Sequence, residues 1–298
     1  MKQINFIKLI PLYFSISGIA LAIGIFSLVV WKVRPAIDFT GGSLVEIELQ
    51  SKEGGDVNEG TIRSALGDKE VEVNSIQSAG ENRWLIRTKM AEGIDKNVQV
   101  ALAEKFSKAE VTRFESIGPA LGKELLSKTF FGISLSSLGI LLYVAYRFGG
   151  GKYGVCAVLA MIHDSLVVFG AFSLLGHFYG AEIDALFVTA LLTVLSFSVH
   201  DTIVVYDRIR ENLRKFPQEK FEPLANRSVN ETMKRSINNS LTIIIMLVIL
   251  TWLGGTTVRY FSLALLIGTI TGTYSSPFVA VPLLVVWNKW IGKKKFAH

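Results

Sequence analysis

Long runs of apolar side chains alternate with short polar, basic stretches along this chain, and one longer region breaks the rhythm. The apolar runs approach the roughly 20 residues that cross a bilayer as a helix. They fall at about Leu9 to Trp31, Thr129 to Tyr146, Tyr153 to Leu175, Ala185 to Tyr206, Ile237 to Leu253 and Tyr260 to Trp287. Six transmembrane helices are predicted. The last is long enough to tilt, or to break at Pro277. The first is too long for a signal-peptide core and no small-residue cleavage site follows it, so it is expected to remain as an anchor.

Between the first two spans the period changes. Ser43 to Leu49 alternates as a strand does, and Val57, Ile62, Ala65 and Leu66 fit a helix within Asp56 to Leu66. Glu70 to Ile76 and Arg83 to Thr88 read as strands around Gly80-Glu81-Asn82, Gly93 to Phe106 as a second helix, and Val111 to Ile117 as a last strand. The order β-α-β-β-α-β predicts a ferredoxin-like module, two helices on one face of an antiparallel sheet. The expected fold is therefore an α-helical membrane protein with six transmembrane helices plus a small α+β ferredoxin-like extracytoplasmic domain. Its parts are residues 1–31, the outer domain 32–128, and a five-helix bundle 129–298 containing a cytoplasmic loop at 207–236.

Two glycine-bearing segments bound the outer domain. Asp38-Phe39-Thr40-Gly41-Gly42 reads as a tight turn; no GK[ST] follows it, which argues against a phosphate-binding loop. Gly118-Pro119-Ala120-Leu121-Gly122 returns the chain to the membrane. Gly41, Gly42, Gly118, Pro119 and Gly122 are hinge or elbow candidates, with simple connectors as the alternative.

Composition agrees with the pattern: half the residues are hydrophobic and the mean hydropathy is +0.42. Charge then sets the orientation, because Lys and Arg in short flanks stay cytoplasmic. Lys2 and Lys8, Arg147 and Lys152, eight basic residues from Arg208 to Arg235, and Lys289 with Lys293 to Lys295 share one side, while the opposite short loops hold only Arg259. Both termini are expected on the cytoplasmic side and residues 32–128 on the opposite side. The net charge of +6 is thus mostly topology, and with 14 basic and 16 acidic residues the outer domain has no nucleic-acid footprint. It has no His or Cys for a soft-metal site, and the lone Cys156 reads as a small packed apolar residue. Asn230-Glu231-Thr232 has a glycosylation pattern on the wrong side for it to matter.

The chemistry is concentrated in ionisable residues inside the spans. An ionised group at the centre of a membrane helix costs at least about 2.5–3.5 kcal/mol, so such a residue points to function and to a partner. His163 and Asp164 lie in the third span, roughly 18 Å from its cytoplasmic end at about 1.5 Å per residue. His200 and Asp201 lie in the fourth, Asp201 roughly 9 Å deep. Glue between helices is the alternative for each pair. Thr189, Thr193, Ser196 and His200 share one side of the fourth helix, with Ser198, Asp201 and Thr202 turned away by about 100°. Arg235, Asn238, Asn239 and Thr242 form a polar stripe on the fifth span, expected to face the protein interior, with Arg235 as counter-ion to Asp201 or as a snorkelling anchor. Gly268 and Gly272 give the sixth span a close-packing GxxxG face ahead of Thr273-Tyr274-Ser275-Ser276.

At DFTGG (Asp38 to Gly42), IGPALGKEL (Ile117 to Leu125), the His163-Asp164 pair, DTIVVYDRIREN (Asp201 to Asn212), SVNETMKRSINNS (Ser228 to Ser240) and GTYSS (Gly272 to Ser276), the chain resembles the SecF family. These are membrane subunits that work with SecD in bacterial protein export and are similar to half of a resistance-nodulation-division exporter. The small outer domain favours SecF over SecD. The resemblance implies a twelve-span unit with a SecD-like subunit that uses protons of the proton-motive force to draw unfolded preprotein outward. It also implies SecYEG and YajC as partners, no enzyme activity, no cofactor or metal, and proton coupling through Asp201 and Arg235. His200, Pro277 and Val281 depart from the family pattern. The rivals are half of a small-molecule or lipid exporter and a passive translocon scaffold. His200, His163 and Asp164 join the proton-coupling candidates, and Asn238, Asn239 and Thr242 the transmembrane polar stripe.

Overall fold

The structure is a computed structural model that describes residues 4–52, 57–67, 71–80 and 82–295. By packing, the chain divides into two compact units, Met1–Arg34 with Phe131–His298, and Pro35–Phe130.

The membrane unit begins with α1, Ile10–Val30, after a 3-10 turn at Ile7–Leu9. The ends of α1 are tied in by polar groups. Asn226 Oδ1 accepts from Phe6 N at 2.7 Å and Asn230 Oδ1 from Ile4 N at 3.1 Å, while Ser27 donates to Ser173 at 2.8 Å.

The α+β unit opens with a one-turn helix α2, Ile37–Thr40, where a plain turn was expected, because Phe39 N and Thr40 N both return to Ala36 O. Then follow β1 (Gly42–Ser51), α3 (Glu59–Gly67), β2 (Val73–Ser78), β3 (Arg83–Thr88), α4 (Ile94–Lys105) and β4 (Phe106–Ile117). The strands make one antiparallel sheet in the order β2-β3-β1-β4, so β1 and β2, joined through α3, straddle β3. Alternation on β1 sends Val45, Ile47 and Leu49 into a core with Ile62 and Leu66 of α3, Ile86 of β3 and Val98 and Leu102 of α4. The β-α-β-β-α-β order is as expected; β4 is longer because Phe106 closes the core at its start. Asp56, Glu70 and Glu81 of the expected elements lie outside the described residues.

The glycines of the two bounding segments have a packing reason. Gly41 (φ 72°) and Gly42 (φ 123°) occupy backbone conformations that side chains disfavour. A Cβ at Gly41 would lie 2.7 Å from Pro119 Cα, and one at Gly122 would lie 2.9 Å from Phe39 O. The DFTGG and GPALG segments therefore meet backbone to backbone.

Five helices complete the chain: α5 (Pro119–Phe148), α6 (Gly151–Tyr179), α7 (Ala185–Lys215), α8 (Phe221–Leu253) and α9 (Thr256–Ser275), which runs through a π-helical turn at Ser276–Ala280 into α10 (Val281–Lys295). Among the described residues six helices are long and apolar enough to cross a membrane. Several outrun the apolar spans. The expected loop at 207–236 is helical except at residues 216–220, because its polar side chains bond α7 to α8. Arg208 bridges Glu231 at 2.6 Å, and the buried Asn212 donates to Ser228 at 2.9 Å and Glu231 at 2.8 Å. At Pro277 the helix widens instead of breaking; proline has no N–H to donate, and the π turn absorbs the missing bond.

Close approaches hold the bundle together. A Cβ at Gly170 of α6 would run into Gly24 of α1, one at Gly268 of α9 into Val194 of α7, and one at Gly272 would lie 3.2 Å from Ser198 Cα. The GxxxG face thus packs on α7. Cys156 is buried in the same apolar cluster as Tyr206 and Leu284.

Candidate functional site

The polar groups of the spans gather where α6, α7, α8 and α9 meet. Asp164 is fully buried at their centre. Its Oδ1 meets His163 Nδ1 at 2.9 Å, and its Oδ2 accepts from Ser198 Oγ of α7 at 2.5 Å and Ser275 Oγ of α9 at 2.6 Å. Three helices are thereby tied to one carboxyl group. Ser276 extends the cluster by meeting Thr202 Oγ1 at 2.9 Å, beside the π turn that offers consecutive serines to two different partners. His163 Nε2 is buried and without a hydrogen-bond partner.

Asp201 sits one residue round α7, half-buried, and accepts from Ser236 Oγ of α8 at 2.6 Å. It borders a small cleft of about 20 Å3, room for about one water molecule, together with Ser198, His200, Asn239, Ser240, Thr269 and others. Thr273 Oγ1 donates to Ser240 Oγ across the cleft wall at 2.6 Å, whereas the buried Thr269 Oγ1 has no partner.

Two expectations need correction. The ion pair between Asp201 and Arg235 is not formed: among the described residues Arg235 makes no ion pair and is exposed, and the neighbouring Ser236 takes its place. The stripe Arg235, Asn238, Asn239 and Thr242 does not face this chain's interior; all four are exposed on its surface, with only Asn239 reaching the cleft. Helical spacing identifies a polar face but not which surface covers it. His200 is likewise exposed and borders the cleft. Gly41, Gly42, Gly118, Pro119 and Gly122 stand apart from these groups, within the other unit.

Ser198, Ser236 and Ser275, which hydrogen-bond the two aspartates, and Ser276, which meets Thr202, are the polar partners that the sequence left unassigned. A lone serine in an apolar run has no periodic signal. The pair Ser275-Ser276 immediately before Pro277 was the available clue, since a π turn there gives both hydroxyls inward directions.

A six-span bundle with a buried His-Asp pair, a half-buried aspartate and a ferredoxin-like unit defines a multi-pass membrane protein with an appended α+β unit. Residues 97–290 match the family described as protein export membrane protein SecD/SecF, C-terminal. Over 293 residues the chain is 41% identical to the protein translocase subunit SecF of Thermobaculum terrenum, covering 93% of this chain and 91% of that one. It is 38% identical to SecF of Anaerolinea thermophila over 287 residues, covering 93% and 92%. Among solved structures it is similar to SecDF of Thermus thermophilus, described as a translocon-associated membrane protein, with a TM-score of 0.86 and 31% identity. That match covers 96% of this chain but only 39% of the SecDF chain. A SecDF structure in a super-membrane-facing form matches at a TM-score of 0.69 and 29% identity, covering 100% and 40%. The chain belongs to the SecF family of protein translocase subunits, and its role lies in protein translocation.

Proposed function

We propose that the chain is the proton-coupled half of a protein-export unit completed by a SecD-like partner, acting beside SecYEG and YajC on unfolded preprotein without covalent catalysis. The observation that carries this reading is the position of Asp201. Its carboxyl group is half-buried within a membrane helix, is held by one neutral hydroxyl, and borders a cleft that can admit water. A carboxyl so placed holds a proton at modest cost and releases it when a cation approaches.

Arg235 is that cation. It starts one residue before Ser236 on α8, so its long side chain can replace the Ser236 hydroxyl at Asp201 when α8 moves against α7. Alternation between these two partners couples protonation to helix position. Both termini are cytoplasmic and residues 32–128 extracytoplasmic, following the distribution of basic residues. There the ferredoxin-like unit meets the emerging polypeptide, with the Gly41-Gly42 and Gly118-Pro119-Gly122 segments as the elements through which movement reaches it. The exposed stripe of Asn238, Asn239 and Thr242, with His200, faces the SecD-like subunit.

The test is export into vesicles under a defined proton gradient, with complex assembly checked. Asp201→Asn and Arg235→Met should abolish gradient-stimulated export while leaving assembly intact, and His200→Leu should alter its pH profile. Undiminished stimulation in an assembled Asp201→Asn complex would leave the chain a passive scaffold.

A further inference from the structure

Ser198 joins two polar groups that are otherwise separate. Its hydroxyl donates to Asp164 Oδ2 at 2.5 Å, and the same residue borders the cleft that Asp201 shares. The groups around Asp164 are His163 on its own helix, Ser198 from α7 and Ser275 from α9; among the described residues no Lys or Arg pairs with it. On the cleft side stand Asp201 and His200 of α7, Asn239 and Ser240 of α8, and Thr269 and Thr273 of α9. Thr269 Oγ1 is buried there without a partner, in a space large enough for a water molecule.

We propose that a water in this cleft links Asp201 to Ser198, and that Ser198 relays a proton between Asp201 and the His163–Asp164 pair, making that pair a second proton-holding site. The inference rests on the proton-coupled reading above. In one direction Asp201, as the carboxylic acid, gives its proton to the water, and the water gives one of its own to Ser198 Oγ. Ser198 then passes its original hydroxyl proton to Asp164 Oδ2. One proton leaves Asp201, which becomes a carboxylate, and one arrives on the His163–Asp164 pair, while the water and the serine are restored. The same path runs in reverse.

Ser275 separates relay from glue. It donates to the same Oδ2 at 2.6 Å but does not line the cleft. If Ser198 only tied helices together, Ser198→Ala and Ser275→Ala would behave alike. The experiment uses the full chain assembled with its SecD-like partner in vesicles, reading both gradient-stimulated export and the infrared carboxyl signal that disappears in Asp164→Asn. Ser198→Ala should lose the stimulation and the gradient-dependent change in that signal; Ser275→Ala should keep both. If Ser198→Ala lowers the yield of complex, the infrared comparison on the assembled fraction still decides. Equal behaviour of the two variants, or an unchanged Asp164 signal in Ser198→Ala, overturns the relay. Stimulation that survives Asp201→Asn in the same assay would instead overturn the proton-coupled reading itself.

Discussion

Replacing Gly41 by alanine should destabilise the α+β unit through two separable effects. The residue has φ 72° and ψ 171°, a region held almost only by glycine, where an L side chain costs about 1–3 kcal/mol. The new Cβ would also lie 2.7 Å from Pro119 Cα and 2.8 Å from Pro119 N, backbone atoms that cannot rotate aside. Forcing an extra carbon into such a contact costs about 1–3 kcal/mol more. Gly93 supplies the comparison: at φ 68° and ψ 18° it lies in the milder left-handed α region, and nothing lies within 4 Å of its Cβ position. Both substitutions gain similarly from a stiffer unfolded chain, so that contribution cancels in the comparison. Gly41→Ala should therefore melt below Gly93→Ala by about 5–20 °C in a unit of this size. The assay is thermal unfolding of a fragment covering residues 35–130, followed by the fluorescence of Trp84, which packs against the core and is its one tryptophan. Equal melting temperatures would refute the backbone contact between the DFTGG and GPALG segments.

Asp164→Leu should lower the stability of the assembled complex by about 2–4 kcal/mol, because it strands the hydroxyl of Ser198 and the imidazole of His163 inside the bundle and leaves Ser275 only its bond to Gly272 O. Asp164→Asn, which keeps an acceptor, should cost clearly less; thermal unfolding in detergent compares them, and equal losses would deny the network its structural part. Gly170→Val should separate α1 from α6 by colliding with Gly24, whereas Gly139→Val, with nothing within 4 Å of its Cβ, should be tolerated. Oxidative cross-linking of cysteines introduced at Ser27 and Ser173, whose hydroxyls meet at 2.8 Å, reports the separation; unchanged cross-linking in Gly170→Val would contradict the close approach.

Much of this fold was legible in the chain because lipid and water impose different periods. Apolar runs of membrane length marked the six spans, and the alternation of Val45, Ile47 and Leu49 against the helical spacing of Ile62, Ala65 and Leu66 marked the ferredoxin-like unit. Hydropathy follows burial in lipid, however, and carries no information about where a helix ends in water. The helical extensions of α7 and α8 were missed for that reason; Arg208, Asn212, Ser228 and Glu231 look like solvated residues until they are seen to face one another. The site divided along the same line. Ionisable His163, Asp164, His200 and Asp201 stood out against their surroundings, while the serines that bind the two aspartates did not. At Asp201 the structure seats Ser236 where the sequence points to its neighbour Arg235, because spacing brings both to the same depth and only the packed helices choose between them.

The polar stripe on α8 carries the argument furthest beyond this chain. Asn238, Asn239 and Thr242, within the apolar fifth span, are exposed on the bundle surface, as is His200 of α7, and Arg235 stands exposed just before that span. Polar side chains turned to lipid are costly. Elsewhere the exposed face is apolar, as on α5, where Phe130, Phe131, Leu135, Leu138 and Leu142 point outward. Two kinds of exposed surface thus ask for two kinds of neighbour: lipid suits α5, and a surface able to hydrogen-bond suits α8. The SecDF chain, of which this protein matches 39%, has further sequence from which such a surface can come. Covering α8 in that way would also close the outer side of the Asp201 cleft, bordered by Asn239 and His200, so the proposed proton-holding group and the proposed partner face would coincide on the molecule.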